Sequence, residues 1–235
     1  MKRFLFLEVL LGMGTAFGGP CLPGTLQSYI ELGTGGCQIG DIFVSSFTTA
    51  PGQTFATPID PLQVQLTPGG TFFNPNLMFT FNQAANATEL FESLFGFNAA
   101  AAALTGASLS LNSANVSGDG AITGILDVCI GGTFPGIPLG CSGTPASAIA
   151  AEIAGLSVPA VPITATAGFF DVFVDITIDG GLSGSAFLGS STVSLASVPE
   201  PGVGLLVAVG LCVIGVLRVR RKSLDLPRRK ACSSD

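Results

Sequence analysis

Between Phe4 and Leu217 the only side chains that carry charge at neutral pH are carboxylates, so any chemistry this chain does there must be carboxylate chemistry. It has no histidine, and its Lys and Arg residues are Lys2, Arg3, Arg218, Arg220, Arg221, Lys222, Arg228, Arg229 and Lys230. The usual general base and the cationic clamps for developing negative charge are therefore missing. Two carboxylates suffice to hydrolyse a glycoside, and the pairs to weigh are Asp171 with Asp175 and Glu89 with Glu92. Four residues apart on one strand, Asp171 and Asp175 would stand ~13 Å from each other at ~3.3 Å per residue, beyond the separation either stereochemical course uses. The chain has no Trp and only Tyr29 as a polar aromatic, so a sugar-stacking platform is poorly supplied. These acids read as a solvated strand face, and the chain as a non-enzyme.

Hard oxygen ligands also suit calcium. Asp171, Asp175 and Asp179 form an acidic row ahead of Gly180-Gly181, and Asp119 and Asp127 flank a second turn. Calcium drawn to that row is the one cofactor the residues offer; otherwise none is expected.

Charge excludes one class of partner. Glu31, Asp41, Asp60, Glu89, Glu92, Asp119, Asp127, Glu152, Asp171, Asp175 and Asp179 are the acids between Gly19 and Val198; eleven acids and no bases give −11, which the whole-chain value of −6 conceals. A domain without cations cannot neutralise phosphates, so nucleic acid is not a partner.

The elements that must carry these residues read as all-β. Gly and Pro are frequent, and Val, Ile and Phe fall in short runs between turn signals, the profile of a β-sandwich. From Phe170 to Asp179, apolar Phe170, Val172, Val174, Ile176 and Ile178 alternate with Asp171, Asp175 and Asp179, placing core and acids on opposite faces. Asp179-Gly180-Gly181 reads as a hairpin turn into a strand from Leu182 to Leu195. Further strands are expected at Ile39 to Thr49, Leu62 to Thr67, Leu77 to Phe81, Ala107 to Leu111 and Ala121 to Ile130, with a turn at Ser117 to Gly120. Residues 88–104 fit helix or strand, and the surroundings favour strand. Ser147 to Ala154 reads as a short helix.

Cysteine usage fits an oxidising compartment. Cys21 and Cys37 bracket one Gly/Pro-rich stretch and Cys129 and Cys141 another, so local pairing is the simplest of three connectivities. Each loop would contribute roughly 3 kcal/mol in the chain-entropy model. Cys212 and Cys232 are expected as free thiols.

The C-terminus carries three signals in order. Val198-Pro199-Glu200-Pro201 cannot be helical, because the prolines lack amide protons and restrict the residue before them. The uncharged run Gly202 to Leu217 then spans roughly 24 Å at ~1.5 Å per residue, a short transmembrane helix. Arg218, Arg220, Arg221 and Lys222 stop transfer and hold residues 223–235 as a cytoplasmic tail. At the other end, Lys2-Arg3, the apolar run to Phe17 and small residues at Ala16 and Gly18 read as a signal peptide over residues 1–18, weakened by Glu8.

The motif at 198–201, the apolar helix and the Arg-rich end resemble the PEP-CTERM sorting domain of bacteria, over residues 197–222 with the helix at 202–217. The stretch from Cys21 to Asp41, and the block Asp171 to Ile176 with Gly180-Gly181 and Ser183 to Ala186, are similar to ectodomains that precede such tags. The resemblance implies processing at Pro199-Glu200-Pro201 by an exosortase, a membrane-embedded protease, after passage through the export translocon. It implies an ectodomain over 19–196, held first as a single-pass precursor in the inner membrane and then delivered to the cell surface or extracellular matrix. It brings no established biochemical activity. The resulting expectation is a structural or adhesion protein, with extracellular polysaccharide as its nearest partner. The competing readings are a calcium-dependent polysaccharide-binding or adhesion module and a cryptic secreted hydrolase.

The charge argument predicts that the ectodomain binds neither DNA nor a heparin-like polymer in metal-free buffer. Micromolar binding by fluorescence anisotropy there would contradict it.

Overall fold

The computed structural model describes residues 18–52, 55–135 and 140–198. Most of the expected signal peptide, Pro199-Glu200-Pro201, the apolar run 202–217 and the basic stop lie outside them. Among the described residues no helix is long and apolar enough to cross a membrane.

The fold is all-β. Its strands are β1 (Gly24–Thr25), β2 (Cys37–Ile39), β3 (Ile42–Thr49), β4 (Thr57–Pro58), β5 (Gln65–Gly70), β6 (Pro75–Asn86), β7 (Leu90–Ser117), β8 (Ala121–Ile130), β9 (Thr144–Ile153), β10 (Leu156–Val158), β11 (Ile163–Asp179) and β12 (Ser185–Ser197). They form one sheet in the order β1-β5-β6-β12-β7-β11-β8-β9-β10; β3 also lies on β7, β2 on β3, and β4 runs parallel to the start of β7. The other pairings are antiparallel.

The sheet is organised by β7, which changes neighbours along its 28 residues. Its first part pairs with β3 and β11, its last part with β12. The alanines that left this stretch ambiguous in sequence lie near the changeover. Ala99 stands between Val44 and Phe170, and Ala100 between Phe43 and Phe169, so a minimal side chain meets a large one on both sides. Register shifts in β11 between Thr164 and Phe169 mark the same level.

Because β7 belongs to both parts of the sheet, three connections carry the chain from one part to the other. These are β6 to β7, β7 to β8 and β11 to β12, and all three meet at one end. The amide of Thr88 donates to the Gly181 carbonyl (2.6 Å) and that of Gly180 to the Glu89 carbonyl (2.9 Å). The Asp119 carboxylate accepts from the amides of Leu182 and Ser183, both at 2.9 Å. Gly181 has φ +68°, and a Cβ there would approach the Asp119 carbonyl oxygen to 2.6 Å, so this position excludes a side chain.

Three readings of the sequence are corrected here. Asp179-Gly180-Gly181 is no hairpin turn: β11 and β12 are separated by β7, and 180–184 is an arch. Ser147 to Ala154 is no helix; Ser147 to Ile153 fall in β9, which pairs with β8 over ten consecutive residues from Thr144. Ala148 and Ala150 face the core there while Ser147 and Ile149 face solvent, so tertiary pairing overrides the helical preference of alanine. A short helix α1 (Leu26–Glu31), capped by Thr25 Oγ1 accepting from the Ser28 amide at 3.1 Å, appears where none was expected. The strand reading of 88–104 holds, as does the Ala121 to Ile130 strand.

One continuous core joins all these parts. At its centre Phe79 of β6 lies against Phe95 of β7, ring centroids 4.3 Å apart and both fully buried. β6 and β7 are not sheet neighbours, so this contact passes between facing surfaces. Phe95→Ala is expected to cost about 3–5 kcal/mol, read as a lowered urea midpoint with unchanged slope.

Candidate functional site

The alternation in β11 holds as read: Phe170, Val172, Val174, Ile176 and Ile178 are buried, and Asp171, Asp175 and Asp179 share the other face. That face is not a freely solvated one. Phe173 is buried on it, and the three aspartates are half-buried.

The tertiary structure gives each aspartate a different task. Asp171 accepts from the Phe134 amide at 2.8 Å. Phe134 belongs to the loop closed by the Cys129–Cys141 disulfide, and Cys129 stands directly opposite Asp171 in register. Burial raises the Asp171 carboxyl above its ordinary range, and the Phe134 amide opposes this. Asp179 turns back on its own chain and accepts from the Gly181 amide at 2.8 Å, an Asx-type cap.

Asp175 is the member shifted furthest. It lies opposite Leu94 of β7 and Ile125 of β8, which places Glu92 and Asp127 two residues along on its flanking strands and on its own face. Such diagonal neighbours lie roughly 7–8 Å away. Burial, then Glu92, then Asp127 push the Asp175 carboxyl up to about 6; a hydroxyl contact from Thr177 at 3.4 Å offsets only part of this. Glu92 itself is buried. Asp127 accepts a short hydrogen bond from the Ser147 hydroxyl of β9.

Sequence spacing missed this trio, because it assembles from three strands and only the register reveals it. The pairs weighed from sequence are not brought together: Glu89 is occupied in the arch, accepting from the amide and side chain of Asn86 at 2.7 and 3.0 Å. Asp119, read as a turn-flanking calcium ligand, is the clamp on the 180–184 arch, and its amide partners hold its carboxyl below the usual range.

What chemistry remains is limited. Among the described residues no group of three or more His, Cys, Asp or Glu could hold a metal ion, so the calcium row is divided among other partners. The hollow beside Glu92, lined also by Thr49, Pro58 and Leu94, measures about 100 Å³, well under the ~300 Å³ at which ligand pockets begin. Larger hollows of about 360 Å³ beside Tyr29 and about 210 Å³ beside Pro162 have no carboxylate in their linings. The Tyr29 hydroxyl donates to the Leu22 carbonyl at 2.8 Å, and burial raises it to about 12.

Both expected disulfides are present, Cys21–Cys37 and Cys129–Cys141. Where β12 ends, Ser197 Oγ donates to Asp41, 2.7 and 2.6 Å from its two carboxylate oxygens. The amide of Ser197 donates to the Phe73 carbonyl (2.9 Å) and that of Val198 to the Ala103 carbonyl (3.0 Å). Nothing local in the sequence links Asp41 to Ser197. Comparison with family models, with curated proteins and with solved structures found no match to this chain.

The Asp175 carboxyl has a raised folded pKa, so its contribution to stability is greatest below the unfolded value of 3.8 and is lost as pH rises through about 6. Two pH units at ~1.4 kcal/mol each set an upper bound, which solvent screening on this half-exposed face reduces to roughly 1 kcal/mol. Asp175→Asn is therefore expected to raise thermal stability at pH 7 and to flatten its dependence between pH 4 and 7. Parallel curves for variant and parent would refute the assignment.

Proposed function

We propose that this chain is an exported, non-enzymatic envelope or extracellular-matrix protein. In this reading its β-sandwich ectodomain is released or transferred after an exosortase-type protease acts at Pro199-Glu200-Pro201. The observation that carries the reading is the order of three signals in the sequence, Val198-Pro199-Glu200-Pro201, the uncharged run 202–217 and the basic Arg218, Arg220, Arg221 and Lys222. The amide of Val198 donates to the Ala103 carbonyl and β12 ends one residue before it, so the domain's exit lies directly ahead of Pro199-Glu200-Pro201 in sequence. The Asp41–Ser197 and Phe73–Ser197 bonds fasten the strand that leads to this exit.

Three further points support the same conclusion. Two disulfides suit a compartment outside the cytoplasm. The two parts of the sheet, meeting through Phe79 and Phe95, agree with a sandwich. Asp119, Asp171 and Asp179 accept from backbone amides, and the hollow that Glu92 lines measures about 100 Å³, which favours a structural role over hydrolysis.

Glu200→Ala and removal of Arg218, Arg220, Arg221 and Lys222 should fail differently. Glu200→Ala leaves the apolar run and its stop, so the protein is exported and inserted but stays unprocessed at the inner membrane. Without the basic stop, the short run 202–217 is retained poorly and the topology becomes mixed. Fractionation in a host that has the exosortase separates the cases; identical parent and Glu200→Ala distributions would leave a plain anchor.

A further inference from the structure

We infer that in the membrane-anchored precursor the chain-exit end of the domain rests on the lipid surface, with Phe72 and Phe73 as its contact. The inference deepens the sorting reading and rests on it. β5 and β6 are joined through a tight hairpin: the Thr71 amide donates to the Asn74 carbonyl at 3.0 Å and the Asn74 amide to the Thr71 carbonyl at 3.3 Å, which leaves Phe72 and Phe73 at the tip. Tips of this kind commonly take Gly, Asn or Asp, whose conformational freedom suits a turn. The two phenylalanines serve neither the turn nor the core, being 59% and 36% exposed and set edge-on to each other with ring centroids 5.0 Å apart. Large apolar side chains held out on a fastened tip suit a lipid interface better than water.

The tip is fixed beside the point where the chain leaves the domain. The Phe73 carbonyl accepts from the Ser197 amide at 2.9 Å, and the Phe72 carbonyl from the Asp41 amide at 3.2 Å. Exposed Val198 follows directly, and Asn74 and Pro162 border one hollow with Ala196, which brings the exposed Val161 to the same end. From Val198 to Gly202 the chain can extend at most about 14 Å. Where the run from Gly202 enters a bilayer, this end of the domain cannot stand far from it. Leu182 and Phe187 are exposed as well, but they lie toward the arches, at the other end of a 13-residue β12 that spans roughly 40 Å.

Charge orients the domain the same way. β11 carries Asp171, Asp175 and Asp179 in its half toward the arches and no acid from Ile163 to Phe170, while Asp119 and Glu89 lie in the arches themselves. At the exit, Asp41 is already bonded to Ser197 Oγ. An ionised carboxylate is costly in the apolar part of a bilayer, so of the two ends of β12 the exit is the one that can approach lipid.

The chain has no Trp, so a single introduced one is a unique reporter. The full chain carrying Phe72→Trp, or Leu182→Trp as the control, is recovered from a host without the exosortase and placed in phosphatidylcholine vesicles with plain or brominated acyl chains. A carbonate wash of a parallel sample reports whether the chain is anchored. Bromination should lower emission from position 72 about twofold and leave position 182 unchanged, since aromatic side chains at an interface lie within reach of the acyl chains. Phe73 takes part in the hairpin through its backbone, and Asp is a favoured turn residue, so adding Phe73→Asp should preserve the far-ultraviolet spectrum of a sheet while abolishing most of the quenching at position 72. A chain that washes off the vesicles would remove the sorting reading and this inference with it. An anchored chain with no quenching at position 72, with equal quenching at 72 and 182, or with quenching indifferent to Phe73→Asp would overturn this inference alone.

Discussion

A domain without a single cationic side chain has to stabilise its carboxylates by other means, and much of this structure follows from how it does so. No ion pair is available between Gly19 and Val198, so the acids turn to amides and hydroxyls. Asp60 accepts from Leu62, Asp119 from Leu182 and Ser183, Asp171 from Phe134, Asp179 from Gly181, and Glu89 from Asn86. Asp41 and Asp127 use Ser197 and Ser147. An amide bonded to a carboxylate is a charge-assisted interaction that fixes backbone, not just a side chain, so each acid also orders a turn or an arch. Asp175 has no such amide and stands beside Glu92 and Asp127; it is the acid whose proton affinity rises most clearly.

The second constraint is the length of β7. A strand of 28 residues has to satisfy its backbone groups along its whole course, and one set of neighbours does not reach that far. β7 meets the demand by pairing first with β3 and β11 and then with β12. The three arches at one end follow from this, since strands consecutive in sequence must move between its two neighbourhoods. Asp119 clamps the arch from β11 to β12, while Glu89 orders the one from β6 to β7. The acids and the long strand are thus two parts of one solution.

This economy bears on function. Most of these carboxylates accept from amides or hydroxyls, and the hollow beside Glu92 measures about 100 Å³, below the ~300 Å³ at which ligand pockets begin. What the domain presents is an acidic surface and a chain exit fastened at Ser197. They accord with the proposed role in an envelope or matrix.

Composition and local pattern by themselves determined the all-β class, the buried and exposed faces of β11, the Ala121 to Ile130 strand and both disulfide pairs, because each rests on alternation, turn residues or short loops readable within one segment. The same holds for the cation-free stretch from Gly19 to Val198 and for the order of proline motif, apolar run and basic cluster at 198–222, which are matters of residue identity alone. Tertiary structure decided the rest. Ser147 to Ile153 became strand because β8 offered these residues seven partners, a gain larger than the helical preference of a few alanines. Asp179 to Gly181 became an arch because β7, not β12, lies next to β11, and turn residues do not reveal which strand comes between. The grouping of Asp175 with Glu92 and Asp127, and the Asp41–Ser197 bond across 156 positions, depend on register and closure of the whole sheet, to which no local sequence signal is coupled.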